Sequence, residues 1–191
     1  IGILRWMVEL GRVDICCEVS MLSAYLTMPR EGHLAQVFHI FAYLKKYYNA
    51  EMVFDPSEPE LDKSLFEQQD WSSSEMDRVG PEQLPANMPL PRGIGFTIRA
   101  YVDADHATDS MKRKSRTGFI VYINSAPVYW MSKKQNSVQT SSFGSEFCAM
   151  KECTEYIRGL RYKLRMLGIP VDGPAYISGD NKSVLYNTSI P

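Results

Sequence analysis

Three carboxylates in this sequence fall where a regular element begins or ends. Asp103 lies late in an alternating apolar stretch, Glu146 opens a long helical pattern, and Asp180 follows the short apolar run Tyr176-Ile177-Ser178. Glu146 precedes Ala149 and Met150 by three and four residues, a spacing that turns its carboxylate toward the face the helix buries. Carboxylates held together repel one another unless a cation lies among them. Mg2+ is a hard cation that prefers oxygen donors and keeps some of its waters, so a cluster of this kind suits it, with Mn2+ as a substitute. Two such ions about 4 Å apart activate a water and stabilise the leaving oxygen of a phosphodiester. Taken singly, each residue has a structural explanation: Asp103 ends a strand, Glu146 favours a helix N-terminus, and Asp180 caps a helix. Taken together and in this order, a phosphodiesterase centre explains them better, and it predicts carboxylates roughly 4–7 Å apart.

The elements that must carry these residues are legible from periodicity. Over 96–104, Phe96, Ile98, Ala100, Val102 and Ala104 alternate with Thr97, Arg99, Tyr101, Asp103 and, just beyond, Asp105, which predicts a strand with one buried face. Further strands are expected over 118–123 and 128–131, with turn chemistry at Asn124-Ser125-Ala126-Pro127 between them. A long helix should start near Ser142, with apolar positions at 149, 150, 153, 157, 160, 164 and 167 and Gly168 as its stop. A short strand over 175–178 and a helix over 181–187 complete a β-β-β-α-β-α order, which implies a mixed sheet with helices against it. If the first and last of these strands are neighbours, the three carboxylates converge at one end of the sheet.

The first fifty residues carry three helical patterns. Leu4, Met7 and Val8 share a face ended by Gly11; Asp14 can cap a helix bearing Ile15, Val19, Leu22 and Leu26. A third helix starts near Glu31, with Leu34, Val37, Phe38, Phe41, Leu44 and Tyr48 at spacings of three and four. Between the two parts, 56–92 holds six prolines and no periodic apolar face, as expected of a linker. The expected division is thus a helical part over 1–55, a linker over 56–92 and an α/β domain over 93–191.

Charge follows the same division. The whole chain is 45% apolar and 23% charged with a formal net charge of −1. Residues 55–83 hold nine acidic and two basic side chains, whereas 92–191 hold eight acidic and fourteen basic ones. A basic module behind an acidic segment suits a polyanion partner. The loop Lys112-Arg113-Lys114-Ser115-Arg116 and the pair Lys133-Lys134 are candidate phosphate contacts, since such cations neutralise backbone charge without reading sequence; solvated turns are the plain alternative. Trp130 is expected in the core rather than as a base-stacking platform. Four cysteines without a C-x-x-C spacing and three scattered histidines give no zinc pattern, and free thiols point to a reducing compartment. No apolar run approaches the roughly 20 residues that span a bilayer.

Several motifs carry a family resemblance. Tyr101-Val102-Asp103-Ala104-Asp105, Ser115-Arg116-Thr117-Gly118-Phe119, Trp130-Met131-Ser132-Lys133-Lys134-Gln135, Ser141-Ser142 leading to Glu146-Phe147-Cys148-Ala149, and Gly179-Asp180-Asn181 occur in the order found in copia-type retrotransposon RNase H domains. Leu4-Arg5-Trp6 and Pro29-Arg30-Glu31-Gly32-His33-Leu34 resemble the end of the adjoining reverse transcriptase. The resemblance implies an RNase H-like fold whose Asp103, Glu146 and Asp180 are both catalytic and metal-ligating, with Asp105 as an outer ligand. It implies cleavage of the RNA strand of RNA–DNA hybrids within a reverse transcriptase polyprotein, in the cytoplasmic particle of an element, with the nucleus as a second location. Gly144 stands where the family carries a second glutamate, His106 where an aromatic is common, and the family's fourth carboxylate would fall beyond Pro191. A fragment of this kind is expected to bind hybrids and cut them poorly. A catalytically inactive relic or a nucleic-acid-binding module is the alternative. A polymerase centre is excluded by Ala104, which separates Asp103 from Asp105, and an α/β hydrolase by the lack of a G-x-S-x-G elbow.

Overall fold

The alternation around Asp103 forms strand β1 (Ile98–Asp105), in which Ile98, Ala100, Val102 and Ala104 are buried while Tyr101, Asp103 and Asp105 are exposed. Strand β2 (Arg116–Ile123) pairs antiparallel with β1, and β3 (Ala126–Lys134) antiparallel with β2. Strand β4 (Ala175–Ser178) adds on the far side of β1 in parallel, so the sheet order is β3-β2-β1-β4. The computed structural model describes residues 1–66, 70, 85–109, 111–171 and 173–189, and the statements below concern those residues. Much of the expected linker, 67–69 and 71–84, lies outside them.

Helix α4 (Ser142–Met166) covers one face of the sheet through Ala149, Cys153, Ile157 and Leu164. These join Ile98, Ala100, Val102, Phe119, Val121 and Val171 in the main core. Gly168, at φ 72°, ends the helix: its own N–H donates to Arg165 O and the Ile169 N–H donates to Leu164 O, the paired bonds of a Schellman motif. Helix α5 (Lys182–Ser189) follows β4. The result is a mixed α/β fold with a four-stranded mixed sheet and flanking helices, consistent with an RNase H-like architecture.

The N-terminal part forms α1 (Gly2–Glu9), α2 (Cys16–Ser23) and α3 (Glu31–Lys46) around a second cluster of Leu4, Val8, Ile15, Val19, Ile40 and Leu44. Trp130 joins this cluster from β3, and its Nε1–H donates to Val8 O at 3.0 Å. Ser20 Oγ donates to Ser132 O at 2.6 Å and accepts from the Arg116 guanidinium at 2.6 Å. The helices therefore dock on the β2–β3 side of the sheet, and Trp130, half-buried, packs against the second cluster.

Local expectations differ from the structure at several points. The turn between β2 and β3 is two residues, Asn124 and Ser125, with Asn124 at φ 53°. The Asn124 side chain accepts from Thr97 N–H and the Asn124 backbone N–H donates to Thr97 O, so β1 begins at Ile98 and not at Phe96. Asp14 does not cap α2; it pairs with Arg12 at 2.7 Å, which holds its carboxyl below the usual range. On α3 the buried residues are Ile40 and Leu44, while Leu34, Phe38 and Phe41 face outward, so the helix is turned from the face that Leu34 and Phe38 would bury.

Candidate metal centre

The centre forms because β4 is short. Its four residues pair with β1 only from Ile98 to Tyr101. From Val102 onward that edge of β1 is met by Gly179, where an added Cβ would touch Val102 and the Met150 side chain. The chain turn at Gly179 delivers Asp180 beside the end of β1. Asp180 does not cap α5, because Asn181 does so: its Oδ1 accepts from the N–H groups of Ser183 and Val184, both at 3.1 Å. The capping explanation for Asp180 is thereby removed, and its carboxylate is available elsewhere.

A comparable division of labour frees Glu146. Ser141 caps α4, its Oγ accepting from Gly144 N–H at 3.2 Å. Glu146, one turn in, faces the end of β1, where its carboxylate lies beside that of Asp103. Ala104 N–H donates to Asp103 Oδ1 at 2.8 Å. Across the ladder from Asp103 stands Gly118, which has no side chain to crowd the carboxylate.

Asp103, Glu146 and Asp180 each offer one oxygen, and these three oxygens lie within 4.8 Å of one another. Asp103 and Asp180 are exposed and Glu146 is half-buried. Burial first, then the charge of Asp103, pushes the Glu146 carboxyl up to about 7; Asp180 adds to the rise and the nearby Ala104 N–H opposes it. A proton on Glu146 thus does what a cation would do, relieving repulsion among three converging acids. The donor set is all carboxylate oxygen, which fits a hard divalent ion such as Mg2+ or Mn2+. Asp105 lies outside this trio, opposite Arg116 in the β1–β2 register.

The candidate phosphate contacts divide into two kinds. Lys112 and Arg113 are exposed in the β1–β2 loop, and among the described residues their side chains make no hydrogen bond or ion pair. The other cations are engaged within the chain. Lys134 pairs with Asp109 at 3.0 Å, Lys114 Nζ donates to Asn136 O, Arg116 bonds Ser20, and Lys133 lies 4.0 Å from Glu152. The residue-type signal that singled out six cations could not separate these kinds, since the partners lie far along the chain. Sequence reasoning also missed a buried polar group behind the centre, comprising Ser115, Thr117, Gln135 and Ser145. Its only local signal was the presence of Ser115, Thr117 and Gln135 inside motifs already singled out.

No family model matches the chain, and no solved structure matches it. Over its full length it is 27% identical to the "Retrovirus-related Pol polyprotein from transposon RE1" of Arabidopsis thaliana and 26% identical to the corresponding RE2 polyprotein. It spans about a tenth of the length of these relatives, 10% and 11% respectively. It is also 24% identical over 155 residues to "Secreted RxLR effector protein 161" of Plasmopara viticola, covering 84% of that protein. The chain is thus similar, from end to end, to a segment of transposon Pol polyproteins.

Proposed function

We propose that the chain is a retroelement ribonuclease H module preceded by the end of a copia-type reverse transcriptase, and that it cleaves the RNA strand of RNA–DNA hybrids in the cytoplasm. The carboxylate trio carries this reading, with its three oxygens within 4.8 Å on elements of different sequence origin. The likeness to transposon Pol polyproteins supports the context. The separate hydrophobic clusters support a division into a helical part and an α/β part.

Asp103, Glu146 and Asp180 would hold the divalent ion, which when bound supplies an activated water and charge compensation at the leaving oxygen. The chain's own part is positional. Ala104 N–H donates to the Asp103 carboxylate and so fixes it at the end of β1. Lys112 and Arg113, without partners among the described residues, are the side chains best able to take up phosphates of the hybrid.

A labelled RNA–DNA hybrid incubated with excess protein and Mg2+ should be cut in its RNA strand. Asp103→Asn should slow that cleavage by at least about 100-fold, the order that loss of a charge-stabilising group costs, with hybrid affinity kept. A second reading, a folded module that binds without cutting, is favoured by Gly144, which stands where the resembled family carries a second glutamate. Hybrid binding with cleavage no greater than that of Asp103→Asn would establish that second reading in place of the first.

A further inference from the structure

We infer that Gln135 is a positioning residue for the carboxylate trio, a strut that sets the spacing between α4 and the sheet where Glu146 reaches across. This rests on the reading of Asp103, Glu146 and Asp180 as a divalent-cation site. Gln135 follows the last residue of β3, is 5% exposed, and is anchored through its own N–H to Ser115 O at 2.9 Å. Its side-chain Nε2 donates twice, to Thr117 Oγ1 at 3.1 Å and to Ser145 O at 2.9 Å. The amide orientation is set by chemistry, because the Ser145 carbonyl can only accept.

The two acceptors are neighbours of the two ends of one contact. Thr117 is the β2 partner of Ala104, whose N–H donates to the Asp103 carboxylate at 2.8 Å. Ser145 directly precedes Glu146 in α4. One planar amide therefore ties together the strand position and the helix turn from which the carboxylates of Asp103 and Glu146 converge. Thr117 and Ser145 are both fully buried, so neither end of the strut is shared with solvent. Gln135 Oε1 is buried with no partner among the described residues. An unmet acceptor opposes stability, and an apolar side chain of similar length would fill the space without it. The residue is thus better explained by the geometry it imposes than by the packing it supplies. Groups that orient metal ligands from behind are worth about 10- to 100-fold in metal affinity when removed.

The test is Mn2+ binding by the 191-residue chain, followed as the loss of the free-ion paramagnetic resonance signal. Gln135→Met keeps length and removes both donors, and should weaken Mn2+ binding by about tenfold. Thr117→Val removes one acceptor and should shift affinity in the same direction by less. Ile157→Val is the control: it loosens the same helix about 16 Å from Glu146 and should leave affinity unchanged. Wild-type binding that Asp103→Asn reduces, together with Gln135→Met affinity within about twofold of wild type, overturns the strut and leaves the cation site standing. Equal weakening by Ile157→Val also overturns it, since the effect would then be general loosening. Absence of any Asp103-dependent binding in the wild type overturns the site reading and the strut with it. Should circular dichroism show Gln135→Met unfolded, Thr117→Val decides by the same criteria.

Discussion

Replacing Glu146 with glutamine should make the cation-free protein more stable at neutral pH. In the folded chain the Glu146 carboxyl is pushed from 4.5 up to about 7, chiefly by burial and by Asp103. A group whose folded pKa lies above its unfolded value binds its proton more tightly when folded. Its contribution is therefore fully present below about pH 4.5 and is lost as pH rises through 7. A rise of this size corresponds to at most roughly 3 kcal/mol. Glu146 is only half-buried, and solvent screening reduces that to about 1 kcal/mol. In a chelating buffer, wild type should lose about 1 kcal/mol between pH 4.5 and 8 relative to Glu146→Gln, a difference of about 3 °C in Tm for a chain of this size. Urea unfolding of both proteins at a series of pH values measures the difference directly and cancels every titration they share. With Mg2+ added, the gap at pH 8 should narrow or reverse, because an ion bound to the folded state stabilises it by mass action. Parallel pH profiles for the two proteins in chelator would refute the argument that Glu146 is forced against two other acids.

Two further outcomes follow from how the side chains are engaged. Lys112→Ala with Arg113→Ala should weaken hybrid binding and lower the salt dependence of log Kd by about 2, whereas Lys134→Ala, already paired with Asp109, should change that slope little; filter binding over about a tenfold range of salt concentration separates them. Trp130→Ala should cost about 2 kcal/mol, less than a fully buried aromatic because the ring is half-buried, and should speed hydrogen exchange in α1 and α2 more than in α4. Uniform exchange changes across all three helices would show that Trp130 does not hold the docked helices.

Periodicity in the sequence was a good guide to faces and a poor guide to partners. The buried stripe of α4 appears at 149, 153, 157 and 164, and Gly168 stops the helix in the left-handed conformation that a glycine permits. Leu167, expected in the same stripe, is 75% exposed: it is the C-cap residue, and Ile169, past Gly168, packs on the core instead. The α3 pattern was ambiguous for a physical reason. Leu34, Phe38 and Phe41 are apolar at helical spacing just as Val37, Ile40 and Leu44 are, and only the position of α1 and α2 decides which set is covered. Bonds such as Ser20 to Ser132, or Trp130 to Val8, join residues more than a hundred positions apart and have no local signature.

The carboxylate trio shows why its residue types were legible while its geometry was not. Each acid follows or begins an apolar element, and that much is local. Convergence depends on β4 lying beside β1, in parallel and stopping at Tyr101, which no local pattern dictates. Had β4 run on beside Val102–Asp105, its backbone would have taken the Ala104 N–H and left Glu146 no place at the sheet. The early end of β4 instead leaves a strand edge whose donor is met by the Asp103 carboxylate, with Glu146 beside it, and the turn through Gly179 brings the third acid to the same edge. The cap on α5 falls to Asn181 and the cap on α4 to Ser141, so neither Asp180 nor Glu146 is needed to satisfy a helix end. Adjacent polar residues meet the demands of folding here, and the acids are left with a mutual repulsion that folding alone does not explain.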